Sequence, residues 1–92
     1  MVVKAYILFK VNSDREREIC KKIVEHDEVL EASIIYGEYD LIAKVNAEDM
    51  GQIDSFTEKI RTMPSIILTS TMIVAREYKG KANRNPKHIY TK

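Results

Sequence analysis

The sequence predicts an α+β domain of the ferredoxin-like type, with strands and helices in the order βαββαβ. Four segments are rich in alternating or β-branched residues, which is typical of strands. Two further segments repeat apolar residues every three or four positions, which is typical of one-sided helices. The 92 residues suffice for one domain. We therefore expect a four-stranded antiparallel sheet with both helices on one face.

The first strand is predicted over Val2–Val11, because every odd position from residue 3 to residue 11 is apolar. Ser13 and Glu16 then match a capping box, in which each side chain bonds the backbone N–H of the other. A helix of about 14 residues is expected behind it, ending near His26 and Asp27. Its apolar stripe consists of Ile19, Cys20, Ile23 and Val24.

The second and third strands are predicted over Val29–Tyr36 and Tyr39–Val45. Gly37 and Glu38 lie between them and suit a two-residue type II′ turn, which favours glycine at its first position. The expected unit is a tight hairpin with two tyrosines beside its turn.

The second helix is predicted to be capped by Asn46, with Glu48 and Asp49 in its first turn. Its apolar stripe consists of Met50, Ile53, Phe56, Ile60 and Met63. Pro64 marks its end, and a long fourth strand rich in β-branched residues is expected from Ile66 to about Tyr78. Glycine, asparagine and proline interrupt regular structure after that strand.

The net charge of +1 conceals an uneven distribution. Residues 79–92 carry five basic and no acidic side chains, whereas residues 1–78 carry 10 basic and 14 acidic ones. The mildly acidic part argues against a nucleic-acid surface there. We therefore divide the chain into a domain at 1–78 and a basic tail at 79–92, which is expected to be solvated, to dock on an acidic neighbour or to touch phosphate.

Several classes of protein and site are not expected. No apolar run approaches the roughly 20 residues that span a bilayer, and the N-terminal strand is a poor signal peptide, so the expectation is a cytoplasmic protein without membrane contact. Cys20 is the single cysteine and is predicted to be a small buried hydrophobe. His26 and His88 lie near no nucleophile at motif spacing, so neither a catalytic triad nor a metal or cofactor site is predicted.

The strands are apolar on both faces, although a sheet covered by helices on one side should be polar on the other. Tyr6 and Leu8 lie opposite the all-apolar face of the first strand, and Leu68 and Met72 lie opposite Thr69 on the fourth. Such strands indicate that the open face packs against something. We predict a homodimer of the α+β barrel type, formed by sheet against sheet.

Three segments in this frame are similar to a known family: VVKAYILFKV, VLEASIIYGEYDLIAKV and KIRTMPSIILTSTMIV. Over roughly residues 2–75 the chain resembles the C-terminal effector domain of the Lrp/AsnC transcriptional regulators, the regulation-of-amino-acid-metabolism (RAM) domain. The most specific parts are the run Gly37 to Leu41, then Ile60 and Arg61, then Thr69 to Thr71. Full-length members carry an N-terminal helix-turn-helix that reads DNA, for which this chain has no room.

Because of this departure from the family pattern, we expect a stand-alone effector domain without sequence-specific DNA binding of its own. The resemblance implies a dimer built through the sheets, assembly of dimers into an octamer-like ring, and an amino-acid pocket at dimer–dimer contacts. Such a domain would modulate transcription by co-assembly with full-length Lrp/AsnC regulators, or would sense an amino acid.

The expected ligand-binding residues are Gly37, Glu38, Tyr39, Asp40, Thr69 and Thr71. A hairpin bend explains Gly37 by its backbone freedom, but it does not require the aromatic and the carboxylate that follow. Asp40 can pair with the ammonium of an α-amino acid, and backbone N–H groups of residues 37–39 can donate to its carboxylate. Thr69 and Thr71 share one strand face and offer hydroxyls, or are strand filler.

Two alternatives stay open from the sequence. One is a small dimeric α+β barrel enzyme, either a cofactor-free oxygenase or a haem-handling protein. Such an enzyme needs polar groups inside the barrel, whereas the strand faces are expected to be mostly aliphatic and threonine. The other is a structural interaction module without a ligand.

Overall fold

The computed structural model describes residues 2–84 and has the predicted order of elements. The elements are β1 (Val3–Val11), α1 (Glu16–Ile23), β2 (Val29–Ile34), β3 (Leu41–Ala47), α2 (Met50–Arg61), β4 (Ile66–Ile73) and the single turn α3 (Lys81–Arg84). Among the helices of this part of the chain, none is long and apolar enough to cross a membrane.

The four strands form one antiparallel sheet in the order β2-β3-β1-β4. β1 lies inside the sheet, and its residue Phe9 pairs with Leu41 on one side and Thr69 on the other. Because side chains alternate along a strand, these three residues point to the same face. The ferredoxin-like prediction is confirmed.

The core lies between this face of the sheet and the two long helices. Alternate residues of the inner strands are buried there, as the burial pattern of β3 illustrates. The buried apolar side chains are Ala5, Ile7, Phe9, Val11, Ile19, Ile23, Leu41, Ala43, Val45, Ala47, Ile53, Phe56 and Ile60. Five members of the predicted stripes supply the helical half of the core: Ile19, Ile23, Ile53, Phe56 and Ile60. The prediction is wrong for Val24 and Met50, which are 48% and 50% exposed because they lie at the ends of their helices, and Cys20 and Met63 are only partly buried.

The other face of the sheet is open in the single chain, and it mixes apolar with charged residues. Tyr6, Leu8 and Ile42 are half-buried there, and so is the charged Lys44, which pairs in register with Glu31. The centre of this face is thus more polar than the expectation of mostly aliphatic and threonine side chains. The reason is that the even positions of β1 and β3 alternate lysine with apolar residues.

β4 is an edge strand that is apolar and exposed on both faces. Ile73 is 43% exposed on the helix-facing side, and Leu68 and Met72 are 49% and 48% exposed on the open side. Ile67 is 63% exposed and lies at the register shift between β1 and β4. Residues 66–75 contain no charged side chain. Natural edge strands are usually protected by charges, proline or a covering element.

Two predicted helix caps are wrong. Asn46 lies within β3 and its N–H donates to the carbonyl of Glu28. Asp49 caps α2 instead, and its Oδ1 accepts from the N–H of Gln52 at 2.9 Å. At α1 the capping box does not form. The chain turns at Asp14, whose φ is 68°, and the helix begins only at Glu16, with Arg15 rather than Ser13 at the N-cap position. The Glu16 carboxylate accepts from the N–H of Asp14 instead.

Several element ends differ from the prediction. α1 stops at Ile23, because the N–H groups of Glu25 and His26 bond carbonyls three residues back and tighten the last turn. β2 and β4 stop at Ile34 and Ile73, although the N–H of Val74 still donates to Lys4.

The basic tail is only partly described. The turn α3 at Lys81–Arg84 lies where no regular structure was expected. Lys87, His88 and Lys92 fall outside the described residues, and the division of the chain at residue 78 stays a prediction.

Candidate functional site

The loop between β2 and β3 holds four of the predicted site residues. The hairpin is centred as predicted, since Ile34 pairs with Leu41 and the N–H of Ile35 donates to the carbonyl of Asp40 at 2.9 Å. Strand pairing ends there, so the predicted two-residue turn is wrong and residues 36–39 form a wider loop. Gly37 has φ 156°, far from the roughly 60° of the first residue of a type II′ turn.

Asp40 fixes this loop to β1, which explains why the hairpin opens. Its N–H donates to the carbonyl of Phe9 at 2.8 Å, and its Oδ2 accepts from the N–H of Val11 at 2.9 Å. The carboxylate therefore takes the place of a strand carbonyl beyond the end of β3. A carboxylate has about four acceptor positions on two oxygens, so Asp40 keeps acceptor capacity for a second partner.

The backbone of residues 36–39 leaves donors available at the tip of the loop. Within the described chain, none of their N–H groups donates to a backbone or side-chain acceptor. Tyr36 is fully exposed, Tyr39 is half-buried, and nothing lies within 4 Å of a Cβ added to Gly37. A run of unpaired N–H groups beside a carboxylate can bind a group that carries both charges.

The two predicted threonines lie apart from the loop within one chain. Thr69 and Thr71 pair with Phe9 and Ile7, so both point to the helix-facing side of β4. β1 separates β4 from β3, and two strand spacings amount to about 10 Å. The structure thus groups Gly37, Glu38, Tyr39 and Asp40 at one edge of the sheet and places the threonines near the other.

Thr69 lines a cleft of about 240 Å³ with Arg61 and residues 66–68. Arg61 is in the last turn of α2 and makes only a loose contact with Glu58, at 3.8 Å. Thr71 is exposed and does not line this cleft. Sequence reasoning did not assign Arg61 to a site, and only its place before the Thr69 run in the resembling segment singled it out.

Three lysines, two of them on the open face of the sheet, surround one acidic residue that follows β4. The carboxylate of Glu77 accepts from Lys4 Nζ at 2.7 Å and lies 3.9 Å from Lys44 Nζ and 3.7 Å from Lys79 Nζ. The hydrogen bond from Lys4 and the charges of the three lysines lower the pKa of Glu77, against a smaller opposing effect of desolvation. Glu77 thereby joins the segment after β4 to the sheet.

Cys20 is half-buried on α1 and has no disulfide partner among the described residues. Burial raises the pKa of its thiol above the usual value. A raised pKa disfavours the reactive thiolate, which agrees with a packing role.

The chain is similar in sequence to a known protein family. Residues 4–83 match the family described as the Lrp/AsnC ligand binding domain. The HTH-type transcriptional regulator FL11 of Pyrococcus abyssi is 31% identical over 75 residues, which are 82% of this chain and 50% of that protein. The chain therefore spans about half the length of the curated relatives it matches.

Solved structures show the same fold. The hypothetical protein PHS023 from Pyrococcus horikoshii is 48% identical, with a TM-score of 0.75, over 85% of this chain and 94% of that one. E. coli AsnC is 26% identical, with a TM-score of 0.77, over 86% of this chain and 54% of that one. The similarity thus extends both to a chain of comparable length and to half of a longer one.

Proposed function

Because this chain belongs to the Lrp/AsnC ligand-binding domain family, we propose that it is a non-enzymatic effector domain that binds an α-amino acid and couples binding to assembly. Its relatives are transcriptional regulators, which agrees with a regulatory role. The finer parts of the proposal concern the ligand, the way in which copies assemble, and co-assembly with longer regulators.

The observation that carries the proposal is the loop of residues 36–40. It presents unpaired backbone N–H groups next to a carboxylate with remaining acceptor capacity. An α-amino acid places a carboxylate and an ammonium one carbon apart. The N–H groups of Gly37, Glu38 and Tyr39 would donate to the first, and Asp40 would accept from the second.

The ligand pocket is proposed to be shared between copies of the chain. Thr69 and Thr71 lie across β1 from the loop, so they reach a ligand held by the loop only from a neighbouring copy. A ligand held between copies shifts assembly by its differential affinity for the assembled state. This arrangement agrees with a sheet-paired dimer that forms a ring of dimers.

An Asp40→Asn variant tests the pocket more sharply than removal of the side chain. Asparagine keeps an oxygen that can accept from the N–H of Val11 but loses the charge that pairs with an ammonium. We expect binding of the preferred amino acid to weaken at least about tenfold, as loss of a charge-assisted hydrogen bond implies. Asp54→Asn, an exposed change on α2, is the matched control.

The ligand is identified first by thermal-shift screening of the twenty amino acids, with oligomer mass measured by light scattering on the same samples. The preferred amino acid should raise the melting temperature of the wild type and of D54N, and should change the mass distribution. Equal affinity of D40N and wild type would remove the loop from the ligand site. Turnover of substrate, or a chromophore that copurifies, would favour the enzyme alternative.

A further inference from the structure

The open face of the sheet holds a small hollow, bordered by both charged and apolar side chains, that is separate from the loop. It has a volume of about 160 Å³ and is lined by Tyr6, Glu31, Ser33, Ile42 and Lys44. Strand register brings these residues together, because Lys44 pairs with Glu31 on one side and with Tyr6 on the other. No residue of the loop at 36–40 lines the hollow.

The two charged residues of the hollow are neighbours without being a pair. Opposite charges at directly facing positions of adjacent strands usually interact. Within residues 2–84, however, Glu31 forms no ion pair, and Lys44 makes only the 3.9 Å contact with Glu77. An ammonium and a carboxylate therefore border the same hollow with space between them.

A small zwitterion matches this arrangement in charge and in size. The volume is close to the roughly 150 Å³ of an engineered cavity that holds benzene, a molecule of six heavy atoms. Glycine, alanine and serine are of that size. The hydroxyl groups of Tyr6 and Ser33 add donors and acceptors, and Ile42 provides the one aliphatic wall.

We infer that this hollow is a second ligand site, which takes a small α-amino acid with its ammonium on Glu31 and its carboxylate on Lys44. The site shares no residue with the loop site proposed above, so the two can fail independently. Its ligand is selected by size, since the hollow has room for the main-chain atoms and a very short side chain.

The hollow also has a consequence for assembly, which rests on the proposed sheet-paired dimer. A second copy stacked on the open face would cover the hollow and remove water from it. Ion pairs strengthen when water is excluded. A ligand bound there stabilises the dimer by mass action, because the dissociated chain binds it less tightly.

Nuclear magnetic resonance of the full chain tests the site directly. Amide and methyl spectra are recorded while glycine, alanine or serine is added, and acetate and methylammonium serve as probes that carry one charge each. We expect saturable shifts at Glu31, Ser33, Ile42 and Lys44 with the amino acids, and markedly weaker binding of either single-charge probe. The absence of saturable shifts at these positions would overturn the inference.

Four variants separate this site from the loop. Glu31→Gln and Lys44→Gln should each weaken binding at the hollow about tenfold or more, through loss of one charge-assisted bond. Lys10→Gln, an exposed lysine on the same face of β1 and outside the hollow, should bind as the wild type does. Asp40→Asn should leave the shifts at the hollow in place.

The inference is wrong if E31Q and K44Q both bind with wild-type affinity. It is also wrong if the shifts centre on residues 36–40 and disappear in D40N alone, a result that would support the loop site instead. Retention of the hollow shifts in D40N, together with loss of loop binding, would support both sites. The spread of amide resonances in each variant verifies that it is folded.

Discussion

Asp40 shows how one side chain can be structural and still be available to a ligand. The sequence suggested a carboxylate for an ammonium, and the structure adds that the same carboxylate accepts from the N–H of Val11. That contact depends on the register between β1 and β3, which no local pattern specifies. The loop could thus be predicted from its residues, whereas its attachment to β1 could not.

Removal of the Asp40 carboxylate should cost stability as well as binding. In Asp40→Ala the N–H of Val11 loses its partner, and an unsatisfied backbone donor of this kind costs about 1–3 kcal/mol. The free energy of unfolding, measured by urea denaturation, should fall by that amount, while Asp40→Asn should lose clearly less. Equal stability of D40A and wild type would mean that water replaces the carboxylate without cost.

Glu77 gives a prediction about pH. Its pKa is lowered in the folded chain, first by the hydrogen bond from Lys4. A lowered folded pKa means that its contribution is present above the unfolded pKa, near 4.5, and is lost as the pH falls through the folded value. Carbon-13 NMR of the side-chain carboxyl should give a midpoint below 4.5 in the wild type.

Lys4→Met should move this midpoint upward, towards the ordinary value of a glutamate. Lys10→Met removes a lysine from the same strand face without removing a contact to Glu77 and should leave the midpoint in place. An equal shift in both variants would point to the general charge of the face rather than to the Lys4 bond.

Among the secondary-structure elements, α2 illustrates which features periodicity predicts and which it does not. Spacing of three and four residues follows directly from helix geometry, and it correctly predicts that Ile53, Phe56 and Ile60 are buried, although Met50 is exposed and Met63 lies beyond the helix. The sequence predicts the start too early, at Asn46, since asparagine and aspartate are nearly equal as caps. Asp49 is the cap rather than Asn46 because β3 extends through Ala47, so that Asn46 lies within the strand.

The assignment of this cap can be tested by mutation. Asp49→Ala should lower the free energy of unfolding by about 1 kcal/mol, because the N–H of Gln52 loses its acceptor. Ser55→Ala, an exposed change within the same helix, serves as the control. A loss below about 0.3 kcal/mol in chemical denaturation would show that Asp49 contributes little as a cap.

For the strands too, a sequence pattern predicts some features, whereas the pairing of neighbouring strands determines others. Alternation predicted the buried face of β1, but it did not predict where β2 and β4 end or where register shifts occur. Those shifts lie between Lys10 and Val11 and between Val29 and Glu31. They depend on how neighbouring strands pair, and pairing is a property of the sheet rather than of a segment.

For the whole molecule, the open face mixes charged with apolar residues. The stability of the proposed dimer therefore depends on charge as well as on buried apolar area. Lys4 Nζ donates to the carboxylate of Glu77 at 2.7 Å, whereas Lys44 Nζ lies 3.9 Å from it, so the charge of Lys4 is compensated before a second copy arrives. Charges that are paired before association cost less to bury than unpaired ones. The single chain thus carries a face suited to self-association.

A pair of substitutions on β4 distinguishes the two sides of the sheet. Met72→Lys puts a charge on the open face, and Ile73→Lys puts one on the helix-facing side of the same strand, at a similarly exposed position. We expect the first to weaken the dimer at least about tenfold, and the second to change it less, since an unpaired charge buried in an interface costs several kcal/mol. Sedimentation velocity over a range of concentrations measures both. Equal dissociation by the two would place the contact at the edge of β4 rather than on its face.

The candidate ligand site could be predicted only in part, because its expected residues lie in two separate parts of the fold. The loop residues are contiguous in sequence and stay together in the fold, whereas Thr69 and Thr71 lie on another strand with β1 between. If the pocket needs two copies, the information that completes it lies in the assembly and not in one chain.

The uncharged edge of β4 has a kinetic consequence. A strand with one unpaired edge, no charges and strong β propensity is the kind of segment that stacks into cross-β fibrils. If copies of the chain pair as proposed, newly synthesised chains have two competing routes, association and fibril nucleation, and both speed up with concentration. Fast pairing across the open face would lower the concentration of single chains, so a substitution that slows association should shorten the lag time of fibril formation even where the folded monomer keeps its stability.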